Sequence, residues 1–210
     1  MSKINDLFQA VQKGKSKIVT GLVQECLDEG CAPIDILNQG MIEAMSVVGE
    51  KFKTGEVFVP EMLVAAKAMK KGVEVLKPHL GGDNAHKVGK MIMGTVEGDL
   101  HDIGKNLVIM MVEGAGYEVV DLGIDVPVQA FVDAANDPEV TIVGVSALLT
   151  TTMEAMQKTV EALKDHPRRN AFKIMVGGAP ITQAFADEIG ADIYTEDAAS
   201  AGQAAKALAG

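Results

Sequence analysis

The chain of 210 residues carries 19 basic and 29 acidic side chains, a formal charge of −10, and is 48% apolar. That suits one sizeable domain or two small ones with a real core, while no apolar run approaches the roughly 20 residues of a membrane span and the N-terminus MSKINDLFQAVQKGK lacks a secretory apolar stretch, so the reading is a soluble cytoplasmic protein. Cys26 and Cys31 are too few for a disulfide scaffold or a four-thiolate metal site, and no Trp, two Tyr and six Phe argue against stacking on a nucleic acid strand.

The N-terminal part reads as helices separated by breakers. The first covers Lys3–Gln12 and stops at Gly14. The second covers Ser16–Glu29, with Ile18, Leu22, Val23 and Leu27 on one face, and stops at Gly30. Pro33 opens a third that runs to about Lys53, with Ile36, Leu37, Met41, Met45 and Val48 apolar. After the loop TGEVFV, Pro60 opens a fourth, in which Met62, Leu63, Ala66, Met69, Val73 and Leu76 recur at threes and fours. Four helices with short loops make a small bundle with a Met-rich core.

The stretch PHLGGDNAHK (78–87) has no apolar period and reads as a linker. It coincides with a charge boundary. Residues 1–88 balance 11 Lys against 11 Asp/Glu, whereas residues 89–210 hold 8 basic and 18 acidic residues. Such a field repels phosphate backbones, so direct nucleic-acid binding is excluded from the reading. The expected domains are 1–85 and 89–210.

Beyond the linker, strands alternate with helices. Strands are predicted over Lys90–Val96, Tyr117–Leu122, Thr141–Ser146, Lys173–Val176 and 192–195. Helices are predicted over 103–115, Pro127–Asn136, Thr152–Asp165, 181–189 and 198–209. This order argues for a doubly wound parallel sheet of five strands, the α/β class. Ligands in such sheets bind beyond the carboxyl ends of the strands, where chain order reverses. The loops after strands one, three and four are therefore the places to search.

After strand one comes Glu97-Gly-Asp-Leu-His-Asp-Ile-Gly104, which is neither GxGxxG nor GxxxxGK[ST], so no nucleotide cradle is present. Asp99 and His101 stand two apart. A carboxylate that accepts a hydrogen bond from one ring nitrogen leaves the other unprotonated and oriented, as a metal ligand needs. After strand three comes the hydroxyl-rich Ser146-Ala-Leu148-Leu-Thr150-Thr-Thr152, and after strand four Gly177-Gly178, where missing side chains admit a bulky group. Each taken alone has a plainer reading. Asp99 could cap a helix, the glycines could form a turn, and Ser146 and Thr152 could be helix-entry residues. Their coincidence at three neighbouring strand ends favours a ligand site.

Asp99-Leu-His101-Asp102-Ile103-Gly104, then Ser146-Ala-Leu148, then Gly177-Gly178, resembles the D-x-H-x-x-G, S-x-L, G-G pattern of the vitamin B12-binding module. That module occurs in methionine synthase, corrinoid methyl carriers and B12-dependent mutases. Forty-one residues separate Gly104 from Ser146 and 28 separate Leu148 from Gly177, similar to the family's gaps. GDLHDIGKN and YEVVDLGIDVP resemble the methyltransferase branch, and VGEKFKTGEVFVPEMLVAAKAM looks like that branch's helical cap.

The resemblance implies a flavodoxin-like, Rossmann-type sheet under a helical-bundle cap, with cobalamin or another corrinoid bound through cobalt. His101 inherits the role of lower axial cobalt ligand in place of the cofactor's own base. Asp99 would hold the distal nitrogen of His101, and a hydroxyl six residues after the serine would hold Asp99. That hydroxyl is here Thr152 rather than serine, with donor and acceptor kept. Gly104, Ser146, Leu148, Gly177 and Gly178 would line the channel for the displaced nucleotide tail, with Asp102, Ile103 and Thr150 also in cofactor contact. Phe58, Val59 and Met62 are candidate cap contacts, with bundle core as the plainer alternative.

The implied function is a corrinoid protein that carries a methyl group on cobalt and cycles between Co(I) and methyl-Co(III). Its implied partners are a substrate-specific corrinoid methyltransferase, a second methyltransferase passing the group to tetrahydrofolate or a thiol coenzyme, and a reductive activase, with no nucleic acid and no membrane. The chain is then a subunit rather than a complete catalyst. A B12-sensing regulator would need a DNA-binding output segment, and no basic recognition helix is present. A mutase small subunit would leave the N-terminal helices without purpose. Cys26 reads as a buried small hydrophobe and Cys31 as a loop residue, while His79, His86 and His166 read as solvated.

Overall fold

A computed structural model describes residues 3–79 and 88–209. The chain divides into two compact units. One comprises residues 1–87 together with 114–116, and the other residues 88–113 and 117–210. Most of the expected linker, and His86 within it, lie outside the described residues.

The first unit is helical. Helices α1 (Lys3–Gln12) and α2 (Ser16–Asp28) are followed by a long helical stretch. This begins as α3 (Pro33–Asp35), passes through a π-helical segment (Ile36–Ile42) and continues as α4 (Glu43–Lys53). Helix α5 (Val59–Leu76) and a short 3₁₀ turn (Lys77–His79) follow. The π segment appears where Gly40 meets Leu7 of α1. A Cβ on Gly40 would stand 2.6 Å from a Leu7 methyl carbon, so the widened turn carries a residue without a side chain at the contact. No apolar spacing announces this, and the sequence reads through it as plain α-helix.

The buried faces differ slightly from the expected stripes. Helix α2 buries Val19, Val23 and Cys26 and leaves Ile18 exposed, and α5 buries Met62, Ala65, Ala68, Met69, Gly72 and Leu76 while Leu63 is exposed. In α5 the side chain-free Gly72 makes room for Val19 of α2, to which a Cβ there would stand at 2.9 Å. At the start of α5 the Glu61 carboxylate accepts from the Phe58 N–H at 2.8 Å, satisfying one orphan donor of the helix entry.

The second unit is a five-stranded parallel sheet in the order β2-β1-β3-β4-β5. The strands are β1 (Lys90–Val96), β2 (Glu118–Val126), β3 (Val140–Ser146), β4 (Lys173–Gly177) and β5 (Ile193–Tyr194). They alternate with α6 (Ile103–Gly114), α7 (Val128–Ala134), α8 (Met153–Lys164), α9 (Gln183–Ile189) and α10 (Ala198–Leu208). This is the flavodoxin-like order, which reverses between β1 and β3. The core runs through Phe131, Val143, Val145, Leu163, Ile174 and Val176, all buried. Each such side chain contributes about 1.5–3 kcal/mol by leaving water.

Strand β2 is longer than its apolar run YEVVDL. It continues through Gly123 (φ 91°) by a register shift against β1, which pairs Met93 with Asp121 but Gly94 with Gly123. Leu122 is the extra residue of this bulge, which bends the strand end and re-aims Ile124 and Asp125. His166 also departs from expectation. It is buried, packs edge-on to Phe172 with ring centroids 5.6 Å apart, and accepts the Arg168 N–H on Nδ1 at 3.0 Å. Its neighbours in sequence are polar and charged, so nothing local reveals that the turn folds the ring inward.

Candidate functional site

The carboxyl ends of β1, β3 and β4 lie side by side, with Thr95 opposite Ser146 and Ser146 opposite Gly177 in the sheet register. The loops leaving β1 and β3 converge on Asp99. Its side chain is fully buried, an expensive place for a charge unless every lone pair is used. One carboxylate oxygen accepts the His101 backbone N–H at 3.1 Å and lies 2.9 Å from His101 Nδ1. The other accepts the Leu148 N–H at 2.7 Å and the Thr152 hydroxyl at 2.9 Å. Burial pushes the Asp99 pKa up, but the Leu148 and His101 N–H groups, the His101 ring and the Thr152 hydroxyl outweigh it and hold the value at about 2.

This fixes the chemistry of His101. A carboxylate acceptor at Nδ1 makes that nitrogen the N–H donor and leaves the lone pair on Nε2. The side chain is half exposed and lines a cavity of about 520 Å³ at the strand ends. The Thr95 hydroxyl donates to the His101 carbonyl at 2.9 Å and anchors the loop from below. An imidazole so held presents one fixed basic nitrogen toward open space, which is the donor a metal takes.

The cavity wall contains His101, Asp102, Ile103, Gly104, Ser146, Leu148, Gly177 and Gly178 from the sequence expectation. Asp99 and Thr152 stand behind His101 as its support, and Thr150 is exposed in the adjoining turn, outside the cavity wall. The wall also includes Met93, Lys105, Val145, Met175 and the segment Thr195–Ala198 after β5. That segment follows a two-residue strand and carries no motif, so nothing local in the sequence marks it. Of the three residues considered as cap contacts, Phe58 is 65% exposed, Val59 is partly buried and Met62 is buried.

The glycines have distinct reasons. A Cβ on Gly104 would meet nothing within 4 Å, so this position opens onto free space. A Cβ on Gly178 (φ 138°) would lie 1.8 Å from the Ala147 carbonyl oxygen, and one on Gly177 would lie 2.8 Å from that of Thr195. The double glycine is therefore demanded by the protein's own loops.

The sheet, the strand-end cavity and the supported histidine together offer a sizeable ligand one oriented imidazole at the β1–β3 switch point. Comparison with known proteins names the class of protein. Models of the B12 binding domain match residues 89–204 and, for a second domain of that description, residues 3–77. A corrinoid protein of Desulfitobacterium hafniense is 41% identical over 213 residues, covering 100% of this chain and 99% of its relative. A trimethylamine corrinoid protein of Methanosarcina acetivorans is 47% identical over 179 residues, covering 84% and 82%. The structure of a methanol:cobalamin methyltransferase complex from Methanosarcina barkeri superposes with a TM-score of 0.84 at 30% identity, over 99% of this chain and 79% of that one. The chain belongs to the B12-binding corrinoid proteins that carry methyl groups, and its cofactor is a corrinoid. The residues present fit that group, with an open Gly104 and an imidazole lone pair at the wall of an apolar-sided cavity. No helix among the described residues is long and apolar enough to cross a membrane.

Proposed function

We propose that the chain receives a methyl group from a substrate-specific methyltransferase and yields it to a second methyltransferase, with His101 as the lower axial ligand. The observation that carries this is the buried Asp99 carboxylate, which holds His101 Nδ1 and so directs Nε2 outward from the cavity wall. Bound, the corrinoid supplies a cobalt centre that accepts and releases the methyl group. Everything else is done by side chains. Asp99 fixes the tautomer and orientation of His101, and the Thr152 hydroxyl and Leu148 N–H fix Asp99. Nε2 of His101 would hold the cobalt of the bound corrinoid, with Nδ1 kept as the N–H donor by the Asp99 carboxylate.

Gly104, Ser146, Leu148, Gly177 and Gly178 would flank the nucleotide tail, with Asp102, Ile103 and Thr150 also in contact with the cofactor. The acceptor would be tetrahydrofolate or a thiol coenzyme, a reductive activase would restore the reduced metal, and the site of action would be the cytoplasm. Relatives named for methylamines and a neighbour named for methanol support the methyl-donor class.

The test is reconstitution with hydroxocobalamin. The wild-type visible spectrum is expected to show nitrogen ligation from the protein, and His101→Ala to show a bound cofactor without it. An unchanged spectrum in His101→Ala overturns the axial role, and failure of the wild type to retain corrinoid overturns the whole reading.

A further inference from the structure

The loop bearing Asp99 and His101 is held from outside by strand β2, through two aspartates four residues apart. Asp125 accepts the Gly98 N–H on its carboxylate at 2.7 Å and donates its own N–H to the Asp99 carbonyl at 3.0 Å. It does so at φ 51°, in the left-handed region, the only described residue other than glycine with positive φ. Such a conformation in a non-glycine residue persists where the surroundings determine it, and it clusters at functional sites. The bulge at Leu122–Gly123 aims Asp125 in this direction.

At the other end of the loop, Asp121 takes the Lys105 ammonium on both oxygens, at 2.6 and 2.7 Å, and also accepts the Gly123 N–H at 2.8 Å. Lys105 is 2% exposed, and its ammonium also donates to Asn106 at 2.9 Å. Asn106 in turn donates to Asp102 at 3.1 Å. The segment 98–105, which contains the proposed ligand, is thus bracketed at both ends by one strand.

We infer that Asp125, with the Asp121–Lys105 pair as the second arm, is a positioning residue that sets how firmly His101 is presented to the cofactor metal. This rests on the axial reading of His101. Asp99 fixes the ring relative to its own loop, and the bracket fixes that loop relative to the sheet. Loosening the bracket leaves the Asp99–His101 bond intact but widens the positions that the pair samples.

The test uses the full chain reconstituted with cyanocobalamin and titrated with cyanide, which displaces the lower ligand as followed in the visible spectrum. Asp125→Asn keeps an acceptor, and Asn tolerates the left-handed region, so displacement is expected at the wild-type cyanide concentration. Asp125→Ala removes the acceptor, and half-displacement is expected at about one-fifth of that concentration, the factor of one lost hydrogen bond. Lys105→Met is expected to shift it in the same direction. The spectrum of His101→Ala saturated with cyanide is the fully displaced reference. If His101→Ala equals wild type before cyanide is added, the axial reading fails; if it differs while Asp125→Ala and Lys105→Met both stay within twofold of wild type, the bracket fails. Amide hydrogen exchange on the wild type covers the case of a variant that does not fold. Protection of the Gly98 and His101 N–H groups is expected, and free exchange at Gly98 overturns the inference.

Discussion

Replacing Asp99 by asparagine keeps the shape of the side chain and removes its charge. The ordinary aspartate pKa of 3.8 is held at about 2 in the fold, a difference of nearly two pH units. At about 1.4 kcal/mol per unit, the ionised carboxylate contributes about 2 kcal/mol at neutral pH. Asparagine must also turn its amide donor toward either the His101 pair of donors or the Leu148 N–H and Thr152 hydroxyl. A backbone N–H left unpaired adds about 1–3 kcal/mol. Asp99→Asn in the corrinoid-free protein is thus expected to lose about 3–5 kcal/mol in urea unfolding at pH 7. The sign of the pH dependence follows from the depressed value. The stabilisation is complete above pH about 4–5, the unfolded-state range, falls to about half near pH 3, and disappears as the pH passes below about 2. The gap between wild type and variant should narrow by about 1 kcal/mol between pH 7 and pH 3. A gap under about 1 kcal/mol at pH 7, or one that does not change between pH 7 and 3, refutes the account of Asp99 as a fully satisfied buried carboxylate.

Thr152→Val removes the hydroxyl at nearly constant volume and is expected to destabilise by about 1.5–3 kcal/mol, the range for a hydrogen bond to a charged group, while Thr152→Ser stays within about 1 kcal/mol of wild type; urea unfolding separates them. Gly104→Leu is expected to leave corrinoid-free stability within about 1 kcal/mol, because a Cβ there meets nothing within 4 Å, and to weaken hydroxocobalamin binding more than tenfold in an equilibrium titration. Gly178→Ala places a Cβ 1.8 Å from a carbonyl oxygen at φ 138°, so a loss of about 3 kcal/mol or more and a melting point lower by roughly 10 °C are expected without any ligand.

What could be read without coordinates was whatever is written locally. Helix α1 has its predicted bounds because Gly14 ends a clear apolar period, and β1 and the end of β3 likewise follow from short apolar runs between breakers. The Asp99, His101 and Thr152 set was legible because the motif places all three at strand ends. Other features are set by distant partners. Lys105 meets Asp121 across 16 residues and Gly98 meets Asp125 across 27, and neither pairing has a periodic signature. The widened turn at Gly40 and the bulge at Gly123 respond to neighbours packed from elsewhere in the chain. The inward turn of His166 follows from the Arg168 N–H and the Phe172 ring, and composition alone placed that histidine in water.

In a doubly wound sheet the loops of two neighbouring strands diverge at the reversal point, leaving a crevice. Here one carboxylate stitches the two sides together. One Asp99 oxygen faces the β1 loop through His101, and the other faces the β3 loop through Leu148. Electron density drawn from the imidazole by a metal or a proton is felt by the same carboxylate that the Leu148 N–H touches at 2.7 Å. The Leu148 amide is therefore a native spectroscopic reporter. Its proton and nitrogen resonances should follow the state of the His101 imidazole from the far side of the crevice, with no added chromophore.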